Sequence, residues 1–196
     1  MSRGCSTTLI RSYSRMCSFH CLFCHGYEDR DVASVGVLAV DLMAEMPPIT
    51  NGLARNALQF SKDVTIYTNG SESVANALTP MVEKKGIKID TRAIMSLRKE
   101  KAGAQVTIKF QDGTSVTHGF LVHGPRNEMP LDFAKTLKLE KAPSGGELKL
   151  VSPFQETTEP GCFAVGDIGS IGKIVVAGVA FGTFAATGIV KQLQAD

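Results

Sequence analysis

The residues best suited to chemistry are Cys21 and Cys24, in the stretch Cys21-Leu22-Phe23-Cys24-His25-Gly26-Tyr27-Glu28. Two thiols at this spacing cycle between dithiol and disulfide, and the thiolate, favoured by a helix N-terminus or a cationic neighbour, is the reactive form. His25 follows directly and is placed to supply or accept the proton, since an imidazole titrates near neutral pH. The redox reading needs no metal. The same spacing also serves as half of a zinc site, which Cys17, Cys21, Cys24 and either His20 or His25 would complete. Cys17-x-x-x-Cys21-x-x-Cys24, with Phe23 before the last thiol, is also a spacing that holds an iron–sulfur cluster.

Composition narrows the setting. The chain has 196 residues, 43% hydrophobic and 20% charged, enough to bury a core as one compact domain or two small ones. Its 21 basic and 19 acidic residues leave a net charge of +2. No basic block is interleaved with aromatics, so no nucleic-acid partner is expected. Five cysteines, three of them between Cys17 and Cys24, do not form the framework of a secreted disulfide-rich domain; a reducing compartment, the cytoplasm, is expected. Residues 1–18 read as a leader. No acid occurs before Glu28, and Arg3, Arg11 and Arg15 lie among serines and threonines, so mitochondrial targeting is the alternative. Ile174 to Ala186 is interrupted by Gly178 and Gly182 and reads as too short to span a bilayer, so no membrane partner is expected.

The elements that must position these groups alternate in type. Residues 32–40 predict a buried strand running into a turn, and residues 53–60 carry apolar side chains at helical spacing. Residues 63–68 are β-branched and close on Asn69-Gly70, residues 73–85 predict a helix stopped by Gly86, and residues 86–89 predict the next strand. Residues 106–110 and 115–122 flank Asp112-Gly113, a hairpin signal because primed turns need positive φ, which Asp and Gly tolerate. Residues 143–146 read as a loop, residues 148–151 as a short strand, and residues 175–194 as a long helix with small residues on one face.

Thr158-Glu159-Pro160-Gly161-Cys162-Phe163-Ala164-Val165-Gly166-Asp167, followed by Lys173 and a Gly/Ala-rich helix, is similar to the second FAD-contacting motif of the pyridine-nucleotide disulfide oxidoreductases. Together with the Cys-x-x-Cys pair and the β-α-β module with its hairpin, it resembles the low-molecular-weight thioredoxin reductases. Cys-Leu-Phe-Cys-His-Gly-Tyr-Glu, with His25 where ordinary thioredoxin reductases carry Asp, and Val64-Thr65-Ile66-Tyr67-Thr68-Asn69-Gly70 narrow the resemblance to the fungal dithiol oxidases of the gliotoxin and holomycin type. The resemblance implies an α/β, three-layer FAD/NAD(P)-binding fold. It implies an NAD(P)-binding-like domain over 19–122 carrying the redox pair, and the C-terminal part of an FAD domain over 123–196. It further implies oxidation of a small dithiol peptide product of secondary metabolism to a disulfide, with electrons passing through FAD to oxygen, in a homodimer.

The resemblance also implies roles. One of Cys21 and Cys24 faces the flavin while the other exchanges with substrate thiols, and His25 is the general base. Gly166 admits the cofactor, Asp167 accepts a hydrogen bond from the ribityl chain, and Lys173 stands close by. Two features depart from the family. No Gly-x-Gly-x-x-Gly unit precedes Cys21, so the first half of the FAD domain is expected to be missing through N-terminal truncation. Val35-Gly36-Val37-Leu38-Ala39 holds a single glycine where a reductase has a Gly-rich turn, and no Arg cluster follows Tyr67, which argues against NADPH. An NADPH-dependent reductase and an inactive truncated relative are the alternatives. A radical SAM core would need repeated β-α units forming a partial barrel, which the Gly-Asp motif and hairpin do not fit.

Overall fold

The computed structural model describes residues 18–24, 26–126, 131–143 and 146–195, with backbone alone at 84 and 131–133. Cys17, His25 and nearly all of the leader lie outside the described residues. The chain divides into two compact units, one ending at Pro125 and one beginning at Arg126.

The first unit contains eight strands among the described residues: β1 (Ser18–Phe19), β2 (Val35–Leu38), β3 (Val64–Tyr67), β4 (Ile87–Asp90), β5 (Ile94–Lys99), β6 (Val106–Phe110), β7 (Ser115–His118) and β8 (Phe120–Val122). Five form a parallel sheet in the order β1-β8-β2-β3-β4, and β5-β6-β7 form an antiparallel sheet. Helices α1 (Leu42–Glu45), α2 (Pro47–Ala57) and α3 (Glu72–Val82) fill the crossovers. Strands β2 and β3 are buried along their whole length, as continuous apolar runs covered on both faces must be. On one face Val35, Val37, Val64, Ile66, Phe120 and Val122 pack with Ala54 and Ala57 of α2 and Leu78 and Val82 of α3. On the other, Leu38, Tyr67 and Leu121 pack with Ile94, Leu97, Val106, Ile108 and Phe110 of the antiparallel sheet. The result is three layers, helices, parallel sheet and antiparallel sheet, the α/β architecture expected from the sequence.

Local signals explain most boundaries. Ser71 caps α3 by accepting from the Val74 amide, and Gly86 stops the following 3-10 turn at φ 70. The Asp112-Gly113 hairpin forms with Gly113 at φ 87 and with the Asp112 carboxylate accepting from the Thr114 amide at 2.8 Å. Helix α2 begins earlier than its apolar spacing predicts, because Pro47 and Pro48 occupy the first helical positions, where a missing N–H costs nothing. The expected strand over 115–122 is in fact two. Gly119 separates β7 in one sheet from β8 in the other, and a Cβ there would stand 2.4 Å from Val32 Cβ. Strand β5 is an addition that the sequence reading missed.

The second unit has α4 (Leu131–Thr136), a 3-10 turn at Gly166–Ile168 and the long helix α5 (Val175–Leu193). Ala134, Leu148 and Ala164 form its small core, with Leu139, Leu150 and Ile168 packed against them. The strand expected over 148–151 reduces to isolated bridges, Lys141 with Leu148 and Val151 with Glu156. Helix α5 forms where the long helix was expected and runs unbroken through Gly178, Gly182 and Gly188. It is 19 residues long and holds an 18-residue stretch of mean hydropathy 1.3, enough by length and composition alone to cross a membrane. Gly188 is kept small by packing, since a Cβ there would stand 2.6 Å from Phe154 Cβ and 3.1 Å from Phe163 Cε1.

Candidate functional site

Strand β1 delivers the redox pair to the carboxyl edge of the parallel sheet. Beyond Phe19 the chain turns, with the Cys24 amide donating to the Cys21 carbonyl at 3.3 Å, and Cys21 and Cys24 form a disulfide with Cα atoms 5.4 Å apart. Leu22, between them, is buried in the helix-side core and anchors the loop. Gly26 closes on it, with a Cβ there 3.0 Å from Leu22 Cδ2. Cys24, Phe23 and Tyr27 stay exposed. An anchored loop with an open sulfur suits exchange with an external thiol, because attack requires a clear approach to one sulfur. His25 lies outside the described residues.

The second unit gathers Gly166, Asp167 and Lys173. Gly166 takes φ 77 and opens a turn that carries Asp167. Lys173 Nζ donates to the Asp167 carbonyl at 2.7 Å, to the Ser170 carbonyl at 2.9 Å and to the carboxylate of buried Glu147 at 3.0 Å. Lys173 therefore braces the turn, and Glu147 is a functional neighbour the sequence reading missed; 26 residues separate them and no motif links them. Helix α5 starts after Ile174 with no side-chain cap, so its first amides are open to an acceptor. A left-handed glycine, an acidic acceptor on a braced turn and an uncapped helix start fit the ribityl and ring-carbonyl end of a flavin. Cys162 is a half-buried free thiol beside the bridge at Phe163, outside any strand.

Gly36 has a different use from the one a nucleotide site would give it. A Cβ there would stand 2.6 Å from Leu121 Cδ2, 3.0 Å from His118 Cδ2 and 3.2 Å from Tyr67 Cε2, so it is the packing of the two sheets that requires glycine. Across this contact runs a buried chain of hydrogen bonds: the Tyr67 hydroxyl lies 2.6 Å from His118 Nε2, and His118 Nδ1 lies 2.8 Å from Ser34 Oγ. Burial pushes the His118 pKa down to about 4 and the Tyr67 pKa up to about 12. Both stay neutral near pH 7, and the imidazole gives one proton and takes one. In place of a Gly-rich turn, β2 leads into Asp41 at φ 49. Among the described residues no group of three or more His, Cys, Asp and Glu side chains is placed to hold a metal ion.

No protein-family model matches the chain. It is 44% identical over 179 residues to the thioredoxin reductase aclD of Aspergillus oryzae, covering 91% of this chain and 56% of that protein. It is 40% identical over 183 residues to a thioredoxin reductase of Gibberella zeae, covering 91% of this chain and 53% of that one. Among solved structures, an oxidoreductase from Agrobacterium tumefaciens superposes with a TM-score of 0.69 at 25% identity, over 91% of this chain and 56% of that chain. The chain thus spans about half the length of the curated relatives it matches.

Proposed function

We propose, from the premise that the chain is a homologue of the fungal thioredoxin reductases over the length it spans, that it is a thiol–disulfide oxidoreductase that oxidises small dithiols to disulfides. The observation that carries this reading is the Cys21–Cys24 disulfide, held on a loop anchored by Leu22 with Cys24 exposed. A substrate thiolate attacks one sulfur and forms a mixed disulfide while the other cysteine leaves as thiolate. The second substrate thiolate then attacks the substrate sulfur of the mixed disulfide and expels the enzyme cysteine as thiolate, leaving the substrate as a disulfide and Cys21 and Cys24 reduced by two electrons. His25, next in sequence to Cys24, takes the proton from the attacking thiol.

The cofactor in this reading is FAD, which supplies a two-electron acceptor that returns Cys21 and Cys24 to the disulfide and hands the electrons to oxygen. Lys173 fixes the turn that carries Gly166 and Asp167; when FAD is bound, Asp167 would hold its ribityl chain, Gly166 would let the backbone approach, and the open amides at the start of α5 would face its acceptor atoms. Oxygen is the acceptor in this reading because β2 leads into Asp41, at φ 49, where a reductase has a Gly-rich turn for the nucleotide. The substrate class is a dithiol peptide product of fungal secondary metabolism, and the working form is a cytoplasmic homodimer.

The test is to mix the oxidised chain with a dithiol, block new thiols with a maleimide, and map them by mass spectrometry. Two blocked thiols at Cys21 and Cys24 are expected, and Cys24→Ser or Cys21→Ser, each keeping one thiol, should be trapped as a mixed disulfide when given the disulfide form of that dithiol. Unlabelled Cys21 and Cys24 would leave the chain as an inactive relative. FAD is tested separately by equilibrium dialysis of wild type against Asp167→Ala.

A further inference from the structure

The antiparallel sheet carries a groove of about 380 Å³ lined by Ser96, Arg98, Thr107, Lys109, Gly113 and Ser115. Strand alternation places it on the face turned away from the parallel sheet. Val106, Ile108 and Phe110 of β6 point into the core, so Thr107 and Lys109, which alternate with them, point outward. The register sets two rows across the three strands: Ser96, Lys109 and Ser115 in one, Arg98, Thr107 and Thr117 in the other.

The rows differ in what they have left to give. In the second, Thr107 Oγ1 donates to Glu100 Oε1 at 2.5 Å and Arg98 Nη2 donates to the same oxygen at 2.9 Å. The Thr107 and Thr117 hydroxyls lie 2.8 Å apart. With its proton committed to Glu100, Thr107 accepts from Thr117, so both hydroxyls are spent and Glu100 offsets the charge of Arg98. In the first row nothing is spent. Among the described residues Lys109 makes no ion pair, and neither its ammonium nor the Ser96 and Ser115 hydroxyls make a hydrogen bond. No carboxylate is among the lining residues. Asp112, next to Gly113, is taken up by the amide and hydroxyl of Thr114 at 2.8 and 2.6 Å and lies 3.9 Å from Arg92.

A free ammonium between two free hydroxyls, on strands about 4.8 Å apart, matches a negative group with three acceptor oxygens. A phosphate monoester carries those oxygens, whereas a carboxylate has two. No aromatic ring lines the groove for a nucleobase to stack on. The uncommitted N–H groups of Arg98 suit hydroxyl acceptors on the rest of such a ligand.

We propose that this groove binds a small, hydroxylated phosphate monoester, with its phosphate on Lys109, Ser96 and Ser115 and its hydroxyls on Arg98. The inference is independent of the thiol chemistry, since no cysteine lines the groove and the buried cluster between the two sheets lies behind it.

Titration calorimetry of the full chain with glucose 6-phosphate, and with glucose as its uncharged match, tests the proposal at fixed ionic strength. Glucose 6-phosphate should bind saturably, inorganic phosphate should compete with it, and glucose should not bind. Lys109→Gln should weaken binding about tenfold or more, and Ser96→Ala and Ser115→Ala about threefold each. Lys62→Gln, at an exposed lysine in a loop outside the groove, should change nothing. No saturation by about 10 mM glucose 6-phosphate, equal binding of glucose, or equal losses in Lys109→Gln and Lys62→Gln overturns the proposal. So does tighter binding to phosphatidylserine vesicles than to glucose 6-phosphate, which would make this face a membrane-binding surface. The comparison of the two sugars on wild type decides the matter even where a variant fails to fold.

Discussion

The two units bury their apolar surface in opposite ways. In the first, helices α2 and α3 turn their apolar stripes inward and the parallel sheet is covered on both faces, so Val35, Val37, Val64 and Phe120 are fully buried. In the second, α5 buries only Ala185 and Gly188, while Val175 is 85% exposed, Val176 76% and Leu193 73%. A helix apolar all round is one built to lie between two layers, and among the described residues α5 has a layer on one side only. The first unit closes a core on both faces of its parallel sheet, and the second leaves most of its long apolar helix exposed.

That contrast can be broken most directly in the first unit. Phe120 stacks 5.2 Å from Phe19 and 6.3 Å from Phe60, and Phe120→Ala should cost about 3–5 kcal/mol. Hydrogen-exchange mass spectrometry should show deprotection of β2, β3 and β8 with α5 unchanged. A loss shared equally by both units would dissolve the distinction.

Acid should come next, and it too should act on the first unit. The fold holds His118 neutral with a pKa of about 4, against 6.5 when unfolded. Between those values the unfolded chain binds more protons than the folded one. Stability is whole above pH 6.5, falls as the pH drops, and levels off below about 4, a total of about 3 kcal/mol. Urea midpoints measured across that range should show the decline, and a flat profile above pH 5 would contradict it.

Two glycines of α5 sharpen the comparison from the other side. Gly188→Ala pushes a methyl into Phe154 and should cost about 1–3 kcal/mol. Gly182 has nothing within 4 Å of a Cβ, so Gly182→Ala should stabilise the helix by about 0.5–1 kcal/mol. Thermal unfolding of the pair should move in opposite directions; equal shifts would mean that the open face of α5 is covered after all.

Legibility followed the reach of each interaction. The Cys-x-x-Cys pair, the Asp112-Gly113 turn and the stop at Gly86 are local, and each appears where its residues imply. Strand β5 was missed because its buried positions, Ile94 and Leu97, are three apart, Arg98 and Lys99 follow, and no turn pair announces it. The register shift between Ile94 and Ser96 accounts for that spacing. His118 carries no local mark, since its burial arises only when distant strands close over it. The brace between Lys173 and Glu147 was hidden for the same reason.

Gly119 has a consequence for how this architecture can be taken apart. One unbroken stretch of chain leaves the antiparallel sheet at β7 and becomes β8, an interior strand of the parallel sheet between β1 and β2. The hairpin layer is therefore not an interchangeable module: cutting it out or grafting it elsewhere also cuts the chain that leads directly into an interior strand of its neighbour. Recombination between homologues should tolerate crossovers before β5 or after β8, and reject them at Gly119, the single residue that joins β7 in one sheet to β8 in the other.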